Sequence, residues 1–167
     1  MKKFAIIVFA TLLLQAEALA QHPKTVVPEV ARALLLGEGM GLAKPAELNG
    51  FPGPRHVLEL ADSLHLSSDQ TEGVQVVFDR MHEDAVALGH DVLELESDLD
   101  SLFAAGKVTE DEFRSRLGRI AELNARLRAV HLKAHLTTRE LLSSHQVARY
   151  DELRGHTRSE TGHEGHH

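Results

Sequence analysis

Two histidines, His131 and His135, are the residues of this chain best placed to bind a metal ion. Residues at positions i and i+4 lie on the same face of an α-helix, and two imidazoles in that arrangement can ligate one ion from a single helix. The alternative is a pair of partly exposed histidines in a chain that contains 12 of them. Metal-ligating side chains from a second helix, close to these histidines, would favour the metal site over this alternative.

The apolar pattern predicts such a second helix. Apolar or small residues recur in steps of four and three over residues 74–102, and the same steps continue over 113–134 with two polar positions, Asn124 and His131. This spacing is that of the seam of two packed helices, in which a polar residue such as Asn124 often fixes the register. Pairing these seams in an antiparallel register, with a turn near Gly106, places Met81 opposite His131. Imidazole, thioether and carboxylate groups at one level suit a borderline or soft divalent cation. The predicted ligands are His131, His135, His82, Met81, Asp79 and Glu83, with His65 as a further candidate from the preceding segment.

The C-terminal residues 156–167 are polar and rich in histidine, and we expect them to be disordered. His163, His166 and His167 lie there, and such tracts bind zinc, nickel, cobalt or copper weakly. The alternative is a solvated tail without a ligand.

A five-residue motif, Leu-Ser-x-x-Gln, occurs twice, at residues 66–70 and 142–146. In a capping box the serine side chain accepts from the backbone three residues on, and the glutamine reaches back to the serine N–H. Ser67 and Ser143 should therefore each begin a helix. Thr109 with Glu112 is a third capping box, ahead of the second seam helix.

These signals predict an all-α fold. Residues 54–155 should form one domain, a long antiparallel helical hairpin with short flanking helices, whose first long helix runs from Ser68 to Ala104. Residues 21–53 contain repeated glycine and proline and are predicted to be a loosely ordered arm. A lone hairpin leaves apolar surface uncovered at Val77, Leu93 and Leu102, so we expect a homodimer.

The first 20 residues have the pattern of a cleavable export signal. Lys2 and Lys3 precede an apolar run from Phe4 to Leu14, and a small-x-small site ends at Ala20. The alternative is a retained anchor, although the run is shorter than the roughly 20 residues that span a bilayer. The signal predicts a periplasmic protein, and the absence of cysteine excludes disulfides and thiolate metal sites.

The charge of the chain limits its function. Without residues 1–20 the net charge is −8 with histidine neutral, which argues against nucleic acid as a partner. No phosphate loop or nucleophile elbow is present, and the one His-Glu-x-x-His stretch, residues 163–167, lies in the tail that is predicted to be disordered and not on a helix, as the zinc motif requires. We therefore expect a binding protein, not an enzyme.

The duplicated motif, the hairpin between its copies and the export signal together resemble the Spy/CpxP family and the related periplasmic heavy-metal-resistance and metal-sensor proteins. The resemblance covers about residues 54–155, with serine in place of the threonine of the family motif Leu-Thr-x-x-Gln. It implies a dimeric, hairpin-based protomer that either holds unfolded proteins without ATP or senses metals and envelope stress. His131 and His135 resemble the His-x3-Met pair of the sensor branch, with His135 where methionine would be.

The sequence thus predicts a periplasmic metal-binding protein that acts in heavy-metal sensing or resistance, with a membrane-bound sensor or an anti-sigma factor as partner. An ATP-independent holdase with unfolded clients is the alternative, although the chaperone branch presents a basic surface and this chain is acidic. A pH-sensitive stress regulator is a third interpretation, because histidines titrate near neutral pH.

Overall fold

The computed structural model of the protein describes residues 23–106 and 108–156. Within these residues the protein is all-α, with no strand. The described helices are α1 (Pro28–Leu35), α2 (Lys44–Glu47), α3 (Pro54–Glu59), α4 (Ser68–Ala104), α5 (Glu110–Leu141) and α6 (Ser144–Arg154). None of them is both long enough and apolar enough to cross a membrane. The predicted export signal and the three tail histidines lie outside the described residues.

The two long helices begin and end at the predicted signals. The first, α4, has 37 residues, which corresponds to a length of about 55 Å. Gly106 follows it with a left-handed φ of 64°, a conformation that favours glycine. Before α5, the Thr109 N–H donates to Glu112 Oε2 at 2.9 Å and the Glu112 N–H donates to Thr109 Oγ1 at 3.4 Å. These bonds confirm the third capping box.

The chain forms two compact units. Of the described residues, the first unit contains 23–42, 80–106 and 108–131, and the second contains 43–79 and 132–156. Each unit therefore combines segments that are distant in sequence.

In the first unit, α1 packs directly on α4. A Cβ atom placed on Gly89 would lie 2.2 Å from the Leu34 carbonyl oxygen, so only glycine permits this approach. Ala31 is completely buried, and Leu93 is 7% exposed in the same apolar cluster. The predicted loosely ordered arm thus contains α1 and α2 and contributes buried residues. Leu93 is covered within the chain, which removes it from the surface offered to a second protomer.

In the second unit, both Leu-Ser-x-x-Gln motifs form the predicted capping boxes. The Gln70 N–H donates to Ser67 Oγ at 3.1 Å, and the Gln146 N–H donates to Ser143 Oγ at 3.2 Å. Leu142, the residue before the second cap, is buried in one cluster with Val147, as a hydrophobic staple requires.

The two motifs also bond to each other, which the sequence did not predict. Gln70 Nε2 donates to Gln146 Oε1, and Gln146 Nε2 donates to Gln70 Oε1, both at 2.9 Å. Gln70 Nε2 also donates to the Leu141 carbonyl at 2.8 Å, and Gln146 Nε2 donates to the Leu64 carbonyl at 3.3 Å. Each glutamine caps its own helix and ties it to the other motif.

Candidate functional site

His135, on α5, is held by the backbone of residues 51–53 in the second unit. Its Nδ1 atom lies 2.7 Å from the Phe51 carbonyl oxygen. A carbonyl only accepts hydrogen bonds, so Nδ1 carries the proton and Nε2 of the neutral ring keeps its lone pair. A Cβ atom on Gly53 would lie 3.0 Å from Nε2, so a side chain at this position would crowd the imidazole.

Glu47 is the acidic partner of this histidine. Its Oε2 atom lies 3.6 Å from His135 Nδ1 and accepts from the Gly53 N–H at 3.2 Å. Its Oε1 atom accepts from the Tyr150 hydroxyl at 2.5 Å and lies 3.6 Å from Arg154 Nε. The side chains of Glu47 and His135 are 15% and 12% exposed. A carboxylate at such a site needs these partners, because an unpaired buried charge is costly.

Tyr150, on α6, is completely buried against this carboxylate. Burial raises the pKa of its phenol, and the hydrogen bond to Glu47 raises it further because ionisation would remove the donor. Tyr150 is therefore a permanent donor to Glu47 at physiological pH. The Tyr150 ring also lies 6.3 Å from the His156 ring, measured between centroids.

Asp151 neighbours this cluster. Burial raises the pKa of its carboxyl, Glu47 adds to the effect, and His156 and Arg139 oppose it. Within the described residues, Asp151 Oδ1 is buried and has no hydrogen-bond partner. The ionised carboxylate is therefore a local cost to the fold.

We expect Asp151→Asn to raise the free energy of unfolding at pH 7 by up to about 1 kcal/mol. The folded-state pKa is above the unfolded one, so the folded protein binds this proton more tightly and ionisation destabilises it. The ionised Asp151 carboxylate destabilises the fold fully at pH values above its pKa in the folded protein. This destabilisation is lost as pH falls below its pKa in the unfolded chain. Urea titrations should thus show that Asp151→Asn raises the free energy of unfolding at pH 7 but not near pH 3. The control Asp62→Asn, at an exposed position, should not raise it at either pH. A loss of stability at pH 7 would show that the carboxylate makes a favourable contact.

In the first unit, the predicted ligands His82 and His131 both lie against the loop of residues 37–41. A Cβ atom on Gly37 would lie 3.1 Å from His82 Nδ1, and one on Gly39 would lie 3.5 Å from His131 Nδ1. His131 is only 4% exposed, as its seam position requires. Of the other predicted ligands in this unit, Met81 is half-buried and Glu83 is exposed.

In the second unit, the other two predicted ligands are solvent-facing. Asp79 is exposed, and its Oδ1 atom accepts from Gln75 Nε2 at 2.7 Å. His65 is exposed and has a left-handed φ of 50°. Across residues 23–106 and 108–156, no three histidine or acidic side chains lie close enough to hold one metal ion. The predicted ligand set therefore stays a prediction.

Neither Glu47 nor Tyr150 was among the residues predicted to form the site. Glu47 lies in a glycine- and proline-rich segment without periodicity, so nothing in the sequence distinguished it. Tyr150 could have been identified from the sequence as a candidate, since it is the one tyrosine of the chain and follows the second motif by four residues.

Comparison with known proteins gave no match, neither to a family model, nor to a curated protein, nor to a solved structure.

Proposed function

We propose that this chain is a periplasmic protein of the Spy/CpxP type that binds a divalent transition metal in heavy-metal sensing or resistance. The observation that carries the proposal is the orientation of His135. Histidines that ligate metals usually donate their other ring N–H to a carbonyl or a carboxylate. His135 Nδ1 donates to the Phe51 carbonyl and lies beside Glu47, so Nε2 is the nitrogen available to an ion.

We also infer that α4 and α5 form an antiparallel hairpin, which the proposed family requires. Leu127 of α5 is buried in one cluster with Ala85 and Leu88 of α4. Near the turn, the rings of Phe103 and Phe113 lie 6.5 Å apart. These contacts support a register close to the one in which residue numbers on the two helices sum to about 212.

We expect the protein without residues 1–20 and 157–167 to bind zinc, nickel, cobalt or copper stoichiometrically. Such a truncation keeps His156, whose N–H donates to the Asp151 carbonyl at 2.8 Å. Replacing both His131 and His135 with alanine should abolish this high-affinity metal binding, as measured by titration calorimetry. Affinity should fall as pH drops through about 6.5, because the ligating imidazoles must be deprotonated.

The matched control replaces the exposed His90 and His145 with alanine and should leave the affinity unchanged. Circular dichroism must show that each variant keeps its helices, because His131 is buried. If removal of residues 157–167 alone abolishes binding, the metal site belongs to the tail, and the helix histidines are structural.

An ATP-independent holdase is the second candidate, and exposed apolar side chains favour it. Val76 is 60% exposed, Leu136 51% and Leu48 50% in the second unit, and Phe103 is 57% exposed in the first. Exposed apolar surface is where unfolded clients bind. A holdase would suppress client aggregation equally with and without a chelator, whereas a sensor would require metal to engage a membrane-bound sensor or an anti-sigma factor.

A further inference from the structure

A charged groove between α4 and α5 lies in the first unit. Its α4 wall presents Asp91, Glu94 and Asp98, and its α5 wall presents Arg119 and Arg126 on either side of Glu122. Leu95 and Leu123 also line it. The groove therefore has one acidic wall and one mainly basic wall.

Within the described residues, these charged side chains take part in no ion pair. In the described part of the chain, ion pairs within 4.0 Å form at other positions, and none of them includes a groove residue. Asp91, Glu94, Arg119 and Arg126 are all exposed. The two walls thus offer opposite charges to whatever lies over the groove.

We propose that the groove is a docking surface for a second copy of this chain. A two-fold interface brings the same patch of both copies together, so the patch must be self-complementary. A two-fold axis that runs along the groove places α4 of each copy over α5 of the other, with each acidic wall against a basic wall. An axis across the groove would instead oppose like charges.

The proposed contact depends mainly on electrostatics, because charged residues outnumber the two leucines in the groove. Exposed ion pairs are screened by salt, so the dimer should be sensitive to ionic strength. It does not require a metal. Sedimentation equilibrium with EDTA present therefore tests the groove separately from the proposed metal site.

The experiment uses two charge-reversal variants and their mixture. Arg119→Glu with Arg126→Glu makes both walls acidic, and Asp91→Arg with Asp98→Arg makes the α4 wall basic like the α5 wall. At low salt each variant alone should dimerise at least about tenfold more weakly than the unmodified protein. An equimolar mixture should form a heterodimer of nearly the original affinity, because both pairs of walls are again complementary.

The control reverses two other basic residues of α5 outside the groove, Arg128→Glu with Lys133→Glu, and should dimerise like the unmodified protein. Three results would overturn the proposal: a monomeric unmodified protein at low salt, charge-reversal variants that dimerise normally, or a mixture that fails to associate. If the unmodified protein is monomeric and suppresses client aggregation, and the variant Arg119→Glu with Arg126→Glu does not, the groove binds unfolded clients instead.

Discussion

Gly89→Ala should lower the free energy of unfolding by about 2 kcal/mol or more. The new Cβ would lie 2.2 Å from the Leu34 carbonyl oxygen and 2.8 Å from its carbonyl carbon. Both are backbone atoms, so relief requires α1 to move away from α4 and expose Ala31 and Leu34. Urea denaturation at fixed pH, with the midpoint and slope compared to those of the unmodified protein, measures the loss.

Gly118→Ala is the matched control, since Gly118 lies inside α5 and a Cβ atom placed on it would meet no atom within 4 Å beyond its own helix backbone. Alanine should stabilise this helix by up to about 1 kcal/mol, the usual difference in helix propensity. The two substitutions are chemically identical and should have opposite signs. If Gly89→Ala also stabilises the protein, α1 does not pack on α4 at Gly89.

Gln70→Glu should cost about 2–3 kcal/mol, although glutamate suits an ordinary capping box as well as glutamine does. The carboxylate would still accept from the Ser67 N–H, at the position where Gln70 Oε1 does so at 3.1 Å. It could not donate to the Leu141 carbonyl or to Gln146 Oε1, and it would place negative charge beside both oxygens. Thermal and urea unfolding at pH 7 measure the loss.

The control exchanges the same two residue types at the third capping box. Glu112→Gln should leave the free energy of unfolding nearly unchanged, because the Glu112 side chain is exposed and its hydrogen bonds within the described residues are to Thr109 of the same cap. Gln146→Glu should resemble Gln70→Glu, because the two amides exchange reciprocal bonds. Equal, small effects at Gln70 and Glu112 would mean that Gln70 acts only as a cap.

Local chemistry explains why the helix boundaries could be predicted. Capping boxes depend on residues three apart in sequence, and the φ of 69° at Gly155 depends on one residue. The predicted span of α4 from Ser68 to Ala104 is confirmed for the same reason. Seam periodicity likewise placed His131 in the interior, where it is 4% exposed.

Long-range packing could not be predicted, because nothing local encodes it. Gly89 looks like an unfavourable residue within a helix until α1 is seen against it. The seam pattern predicts that Asn124 fixes the register inside the seam, but Asn124 is exposed and donates to Ile120 O of its own helix at 3.0 Å. Leu117, also placed in the seam, is 48% exposed. The strict heptad pattern therefore overestimates the contact near the turn.

The bonds between the two glutamines also bear on the order of folding. Gln70 and Gln146 are 76 residues apart, and Glu47 and Tyr150 are separated by 103. Contacts of such long sequence separation form slowly, because a large loop must close before they contribute any stability. The first unit combines near neighbours such as Phe103 and Phe113 with distant pairs such as Gly39 and His131. A growing chain therefore cannot complete the second unit until its last helix has been synthesised, and until then the apolar side chains around Val57 and Val74 lack their C-terminal partners.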